Sequence, residues 1–194
     1  MTPLGATSTH PTSLGGRTLA IVASMTVLQR LRPDHAAALL AFERENRAYF
    51  AASVPDRGDD YFAGFDARHS ELLAEQAAGL HHLHVLVDGE GSVLGRVNLV
   101  DVADGSAELG YRIAERAAGK GLATATVRKV CVLALAEYGL GVLRAVTTED
   151  NPGSRAVLSR TGFEPAGEIV LDGRPGLRFT LDLRALGDPA GAPR

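Results

Sequence analysis

The six residues Arg116-Ala117-Ala118-Gly119-Lys120-Gly121 combine two glycines and two cations just ahead of a long apolar pattern of helical period. Gly119 and Gly121 carry no side chain, so a bulky anion can approach the backbone closely there. The first N–H groups of a helix have no intrahelical acceptors and lie at the positive end of its dipole. Together these features describe an anion site suited to a phosphate or pyrophosphate. Arg116 and Lys120 add positive charge locally, in a chain whose formal net charge is -3. The spacing is not that of a Walker loop, and the dinucleotide Gly-x-Gly-x-x-Gly pattern is absent. An ordinary strand-to-helix turn is the alternative use of such glycines.

Such a site needs a strand to deliver it and a helix to complete it. The helix is predicted over about 120–138, where Ala123, Val127, Val130, Cys131, Ala134 and Tyr138 recur at three- and four-residue steps before Gly139. Strands are predicted near 26–31, 82–87, 93–101, 107–113, 142–148, 164–171 and 177–183. Asp88-Gly89, Asp104-Gly105 and Asp172-Gly173 supply turn chemistry for three hairpins. Pro33-Asp34 opens a first helix, and a second is expected over about 60–78, ending at Gly79. A short helix follows Asn151 as its cap, with Pro152 at its first position and Gly162 at its end. The order β α α β β β α β α β β predicts an α+β fold. Its sheet is mostly antiparallel and mixed, of six to seven strands flanked by about four helices, with one helical crossover between 107–113 and 142–148.

Bulk properties narrow the function classes. A chain of 194 residues fits one domain, expected over 17–186. Residues 1–16, rich in Thr, Ser, Gly and Pro, read as a disordered leader, residues 187–194 as a disordered tail, and Met25 as an alternative start. The acidic balance, with a pI of about 6.1, argues against a general nucleic-acid binder. The apolar run at 19–23 is far too short to span a bilayer, and a single cysteine, Cys131, permits no internal disulfide. A cytoplasmic protein, monomeric or homodimeric, is the expectation. His81, His82 and His84 lie close together without a nearby Cys/Asp/Glu set, so no metal is expected. Cys131 falls on the apolar side of its helix and reads as core.

Arg116-x-x-Gly119-x-Gly121 resembles the Arg/Gln-x-x-Gly-x-Gly/Ala motif of GNAT acetyltransferases. Residues 107–113 resemble the strand before that motif. Asn151-Pro152-Gly153-Ser154 with Gly162-Phe163 resembles the second half of the same site. The likeness is strongest to the RimJ/RimL group of ribosomal-protein alanine N-acetyltransferases and covers roughly 25–183. It implies a GNAT-like acyl-CoA N-acyltransferase fold with acetyl-CoA as cosubstrate. Backbone groups of Tyr111, Arg112 and Ile113 would hold the pantetheine arm. Arg116, Gly119, Lys120, Gly121, Leu122 and Ala123 would surround the pyrophosphate, and Asn151 and Ser154 would lie near the reacting end.

The implied chemistry is attack of a neutral amine on a thioester, which needs a proton acceptor, an oxyanion stabiliser and a proton for the departing thiolate. Glu108 is the candidate base, and Ser154 the candidate proton donor. An α-amine with a pKa of roughly 8 is about one tenth neutral at pH 7, whereas a lysine amine is far less so. Some relatives place a tyrosine seven residues after the asparagine, here Leu158, or a glutamate five before it, here Val146. Asn46, Arg47 and Tyr49 are candidate acceptor contacts, and Asp59, Asp60 and Tyr61 could form an acidic rim for a cationic amine. The acceptor is expected to be a protein N-terminus, a ribosomal protein by the resemblance. A small-molecule amine such as an antibiotic, polyamine or amino-acid derivative is the second possibility. A catalytically silent CoA-binding module is the third.

Overall fold

The computed structural model describes residues 26–187, so the expectations for the leader, for Met25 and for nearly all of the tail lie outside them. Seven strands form one sheet: β1 (Val27–Arg30), β2 (His82–Val87), β3 (Val93–Ala103), β4 (Ser106–Ile113), β5 (Val142–Thr148), β6 (Glu164–Leu171) and β7 (Arg174–Asp182). Their spatial order is β1-β2-β3-β4-β5-β7-β6. All neighbours are antiparallel except β4 and β5, which run parallel and are joined by the expected crossover, helix α5 (Leu122–Ala136). The fold is the mostly antiparallel mixed sheet that the sequence predicts.

Helices cover both faces. On one face α5 buries Val127, Val130, Cys131 and Ala134 against Val97, Leu99 and Leu109 of the sheet. On the other, α1 (Ala36–Glu45) and α4 (Phe65–Ala77) bury Leu39, Phe42 and Phe65 against Leu83 and Val85. Each large side chain withdrawn from water this way contributes about 1.5–3 kcal/mol. The alternation of β4 thus sends Leu109 and Tyr111 toward α5 and α6, and Glu108 and Arg112 toward the α1 side.

The helical regions are more divided than the sequence pattern suggests. The first breaks at Asn46 into α1 and α2 (Arg47–Ala51), and the second at Gly64 into α3 (Asp59–Ala63) and α4. Asn46 leaves helical geometry (φ -104°, ψ 10°) because its side-chain Nδ2 donates to the Phe42 carbonyl at 2.8 Å, competing with the backbone ladder. With α6 (Pro152–Arg160), the described residues hold six α-helices in place of about four.

Two of the three hairpins turn as expected, with Asp104 and Gly105 (φ 49° and 70°) and Asp172 and Gly173 (φ 48° and 78°) in the left-handed region. The first does not. Asp88 accepts from the Glu90 and Ser92 amides through its side chain, and the positive φ falls on Gly91 (84°) rather than Gly89. The loop over 88–92 nevertheless joins strands that end and begin where the sequence predicts.

Candidate active site

Strands β4 and β5 pair only at Ser106↔Val142, Ala107↔Leu143 and Glu108↔Arg144. Beyond Glu108 they diverge, and the β4 edge along 109–113 has no strand partner on that side. Two cavities open into the gap, of about 350 and 380 Å³. They share Ser53, Val54, Tyr111, Arg112, Asn151 and Ser154 as walls, so the two cavities adjoin at these residues.

One cavity runs along the start of α5. Its lining includes Ile113, Gly119, Gly121, Leu122 and Ala123. Gly119 and Gly121 have φ of 73° and 76°, conformations that side-chain-bearing residues rarely adopt. No atom lies within 4 Å of where a Cβ would stand on either, so open space faces both. Backbone bonding before α5 ends with the Ala118 amide on Glu115 O, and resumes with the Ala125 amide on Gly121 O at 3.0 Å. The N–H groups of 119–124 therefore have no backbone acceptor among the described residues. Six consecutive unpaired amides at a helix start form a nest for an anion as large as a pyrophosphate. This donor set fits a diphosphate-bearing cofactor such as coenzyme A.

The two cations of the motif sit elsewhere. Lys120 donates through Nζ to the Arg116 carbonyl at 2.9 Å, which braces the loop. Arg116 lies 3.8 Å from Asp88, and neither side chain lines the cavity.

At the meeting point, Asn151 caps α6 by accepting from the Ser154 amide at 3.0 Å. Ser154 Oγ lies 3.0 Å from the Tyr111 hydroxyl, which also donates to the Ser154 carbonyl at 3.2 Å. Burial raises the Tyr111 phenol above its ordinary range, with the Ser154 contact opposing, so the phenol stays protonated near neutrality. The sequence reading used Tyr111 only for its backbone. The alternation of β4, with apolar Leu109 two residues before, was the available signal that its ring points toward α6.

The second cavity lies along β4 from Glu108 to Arg112. Glu108 lines it, at the last rung before the strands part. Arg57, Arg96, Arg112 and Arg174 line it too. Glu43, 2% exposed, accepts from Arg96 at 2.8 Å and from Arg112 at 3.2 Å. In the amide orientation that satisfies both its ends, Asn98 accepts from Arg96 at 2.7 Å. This basic lining was not legible in the sequence, because its members come from four separate segments.

The three candidate acceptor contacts are scattered. Asn46 is buried, and its Oδ1 accepts from the Glu115 amide at 2.9 Å, tying the α1–α2 junction to the loop before α5. Arg47 bonds Asp56 and Asp59, each at 2.6 Å, outside both cavities. Tyr49 lines the cavity on the α5 side rather than the arginine-rich one. The acids foreseen as a rim are thus partly occupied by Arg47. The three histidines also have partners. His84 is buried between the Val97 carbonyl and the Tyr138 hydroxyl, His82 stacks on Tyr138, and His81 accepts from the Asp101 amide. Burial pushes the Cys131 thiol up to about 11, which keeps it an unreactive core group.

Comparison with known proteins agrees with this geometry. The acetyltransferase (GNAT) domain family matches residues 26–164. The Bacillus subtilis protein named "Putative ribosomal N-acetyltransferase YdaF" is 35% identical over 132 residues, covering 65% of this chain and 68% of its own. Among solved structures, Mycobacterium smegmatis RimJ in complex with CoA-disulfide superposes with a TM-score of 0.75 at 24% identity, covering 84% of each chain. Spermidine N-acetyltransferase from Vibrio cholerae, in complex with CoA and spermine, gives 0.70 at 17% identity, covering 84% of this chain and 98% of that one. The last two likenesses establish the fold alone. With the diverging strands, the amide nest and the matched domain all in one place, the chain belongs to the GNAT acetyltransferase family and is an acyl-CoA-dependent N-acetyltransferase.

Proposed function

We propose that the protein transfers an acetyl group from acetyl-CoA to a primary amine, the N-terminal α-amine of a protein in first place. The observation that carries this reading is the meeting of two cavities at Tyr111, Asn151 and Ser154, one bordered by the amide nest and the other by Glu108. When bound, acetyl-CoA supplies the thioester that a neutral amine attacks, so that a C–N bond forms as the C–S bond breaks. The amides of 119–124 hold the diphosphate, and the open β4 edge at 111–113 aligns the arm.

Glu108 takes the proton that the amine loses, directly or through a water. The hydroxyl pair of Ser154 and Tyr111 delivers a proton to the thiolate. An α-amine suits this arrangement, because about a tenth of it is already neutral at pH 7 and one carboxylate suffices as base. The name of the Bacillus subtilis relative favours a ribosomal protein as the source of that amine.

The test is thiol release from acetyl-CoA with a panel of peptides and small amines, followed by mass spectrometry of the product. Acetylation of peptide α-nitrogens is expected. Transfer only to lysine or small-molecule amines would contradict the N-terminal assignment.

A further inference from the structure

The acceptor-side cavity is lined by Arg57, Arg96, Arg112 and Arg174; Arg174 is bonded to Asp150, and the other three stand near the buried carboxylate of Glu43. Glu43 gives one oxygen to Arg96 and the other to Arg112, so both are engaged. Arg57 lines the same cavity, half-buried, with its guanidinium carbon 4.5 Å from the centre of the Tyr61 ring. It makes no hydrogen bond or ion pair among the described residues, while its acidic sequence neighbours Asp56 and Asp59 are both bonded to Arg47. Glu108 and Asp172 also line the cavity, and neither pairs with these arginines. Burial is the main cause that lowers the Arg57 pKa from its ordinary value; the nearby Arg96 adds to it, and Glu43, already shared by two other arginines, opposes it.

A guanidinium carries five donors and no acceptor. Withdrawn from water without partners, it is poorly solvated, and its planar fork matches a carboxylate in bidentate geometry. We infer that the acceptor is a primary amine carrying a carboxylate close to the amine, with the carboxylate held by Arg57 while the amine faces Glu108. This rests on the acetyltransferase reading above and narrows its substrate. The carboxylate can come from an acidic residue beside a peptide's N-terminus or from a free amino-acid-like molecule. A polyamine, cationic along its whole length, meets like charge at Arg57, Arg96 and Arg112.

The experiment compares kcat/KM for matched acceptors with saturating acetyl-CoA. One pair of peptides differs only by Asp or Asn at the second position, a second pair is alanine and alaninamide, which lacks the α-carboxylate, and spermidine is the fifth acceptor. The acidic member of at least one pair is expected to lead its amide by about tenfold or more, as one charge-assisted contact implies. Which pair shows the gap identifies the source. The lead should shrink with added salt. Arg57→Ala should bring the ratio toward one through KM, and Arg57→Lys should leave it intermediate. Equal acid and amide in both pairs, a preference for spermidine, or a ratio that survives Arg57→Ala overturns the inference while leaving the acetyltransferase reading intact. Thiol release with none of the five, in a protein that binds acetyl-CoA, would count against both. If Arg57→Ala does not fold, the wild-type ratios and Arg57→Lys still decide.

Discussion

The Tyr111 hydroxyl stands 3.0 Å from Ser154 Oγ, joining β4 where it diverges from β5 to the first turn of α6. Two hydroxyls in contact can pass one proton, so removing either should be milder than removing both. Ser154→Ala is expected to lower kcat about tenfold with the acetyl-CoA affinity little changed, and Tyr111→Phe by a similar factor. The double variant should fall short of the product of the two effects, because the residues act as a unit. Steady-state kinetics on all three decides it. An unchanged kcat in Ser154→Ala removes that serine from the mechanism.

Glu108→Gln is expected to lower kcat/KM by about 10²-fold at pH 7, the lower range for a lost general base. The deficit should narrow above pH 8, as more of the acceptor arrives already neutral. A pH–rate profile for both proteins checks this. A deficit constant from pH 6 to 9 would assign Glu108 a role in shape rather than proton transfer.

Glu43 neutralises Arg96 and Arg112 while 2% exposed, and the arginine side chains are themselves 11% and 20% exposed. Removing the shared carboxylate leaves two crowded cations, so Glu43→Ala should cost about 3–5 kcal/mol in urea unfolding. A loss below about 1 kcal/mol would mean that the cluster relaxes into water at little cost.

His84 donates through Nδ1 to the Val97 carbonyl at 3.2 Å and accepts at Nε2 from the Tyr138 hydroxyl at 2.8 Å, the pattern of a neutral ring. Burial is the main cause of its pKa falling to about 4 from an ordinary 6.5. Between those values the unfolded chain binds a proton that the folded chain refuses, so stability rises with pH across the window. Acidification from pH 7 to 4 should therefore remove up to ~3 kcal/mol at this residue. His35 and His82, also depressed by burial, act in the same direction. Urea midpoints over that range test it, with a shallower slope expected for His84→Gln. A stability flat from pH 7 to 4.5 would contradict the buried neutral ring.

What could be read from the sequence was local. The period of α5 and the Asp-Gly pairs at 104–105 and 172–173 are decided within a few residues, and the structure keeps them. The glycines at 119 and 121 belong there too, since their positive φ answers a purely backbone demand. Where a side chain competes with the backbone, the local pattern misleads: Asn46 interrupts a helix, and Asp88 bonds the loop so that the positive φ falls on Gly91. The acceptor side was invisible for a different reason. Arg57, Arg96, Arg112 and Glu43 are brought together only when α1, the α2–α3 loop, β3 and β4 assemble. No spacing rule links such positions.

Coenzyme A is expected to lie with its diphosphate on the amides that begin α5. Backbone-amide NMR during a titration with CoA tests this most directly. Saturable shifts and slowed hydrogen exchange concentrated at residues 119–124, abolished by Gly121→Val, are the predicted result. Saturable binding that leaves those amides unmoved, or no binding at millimolar ligand, would contradict it.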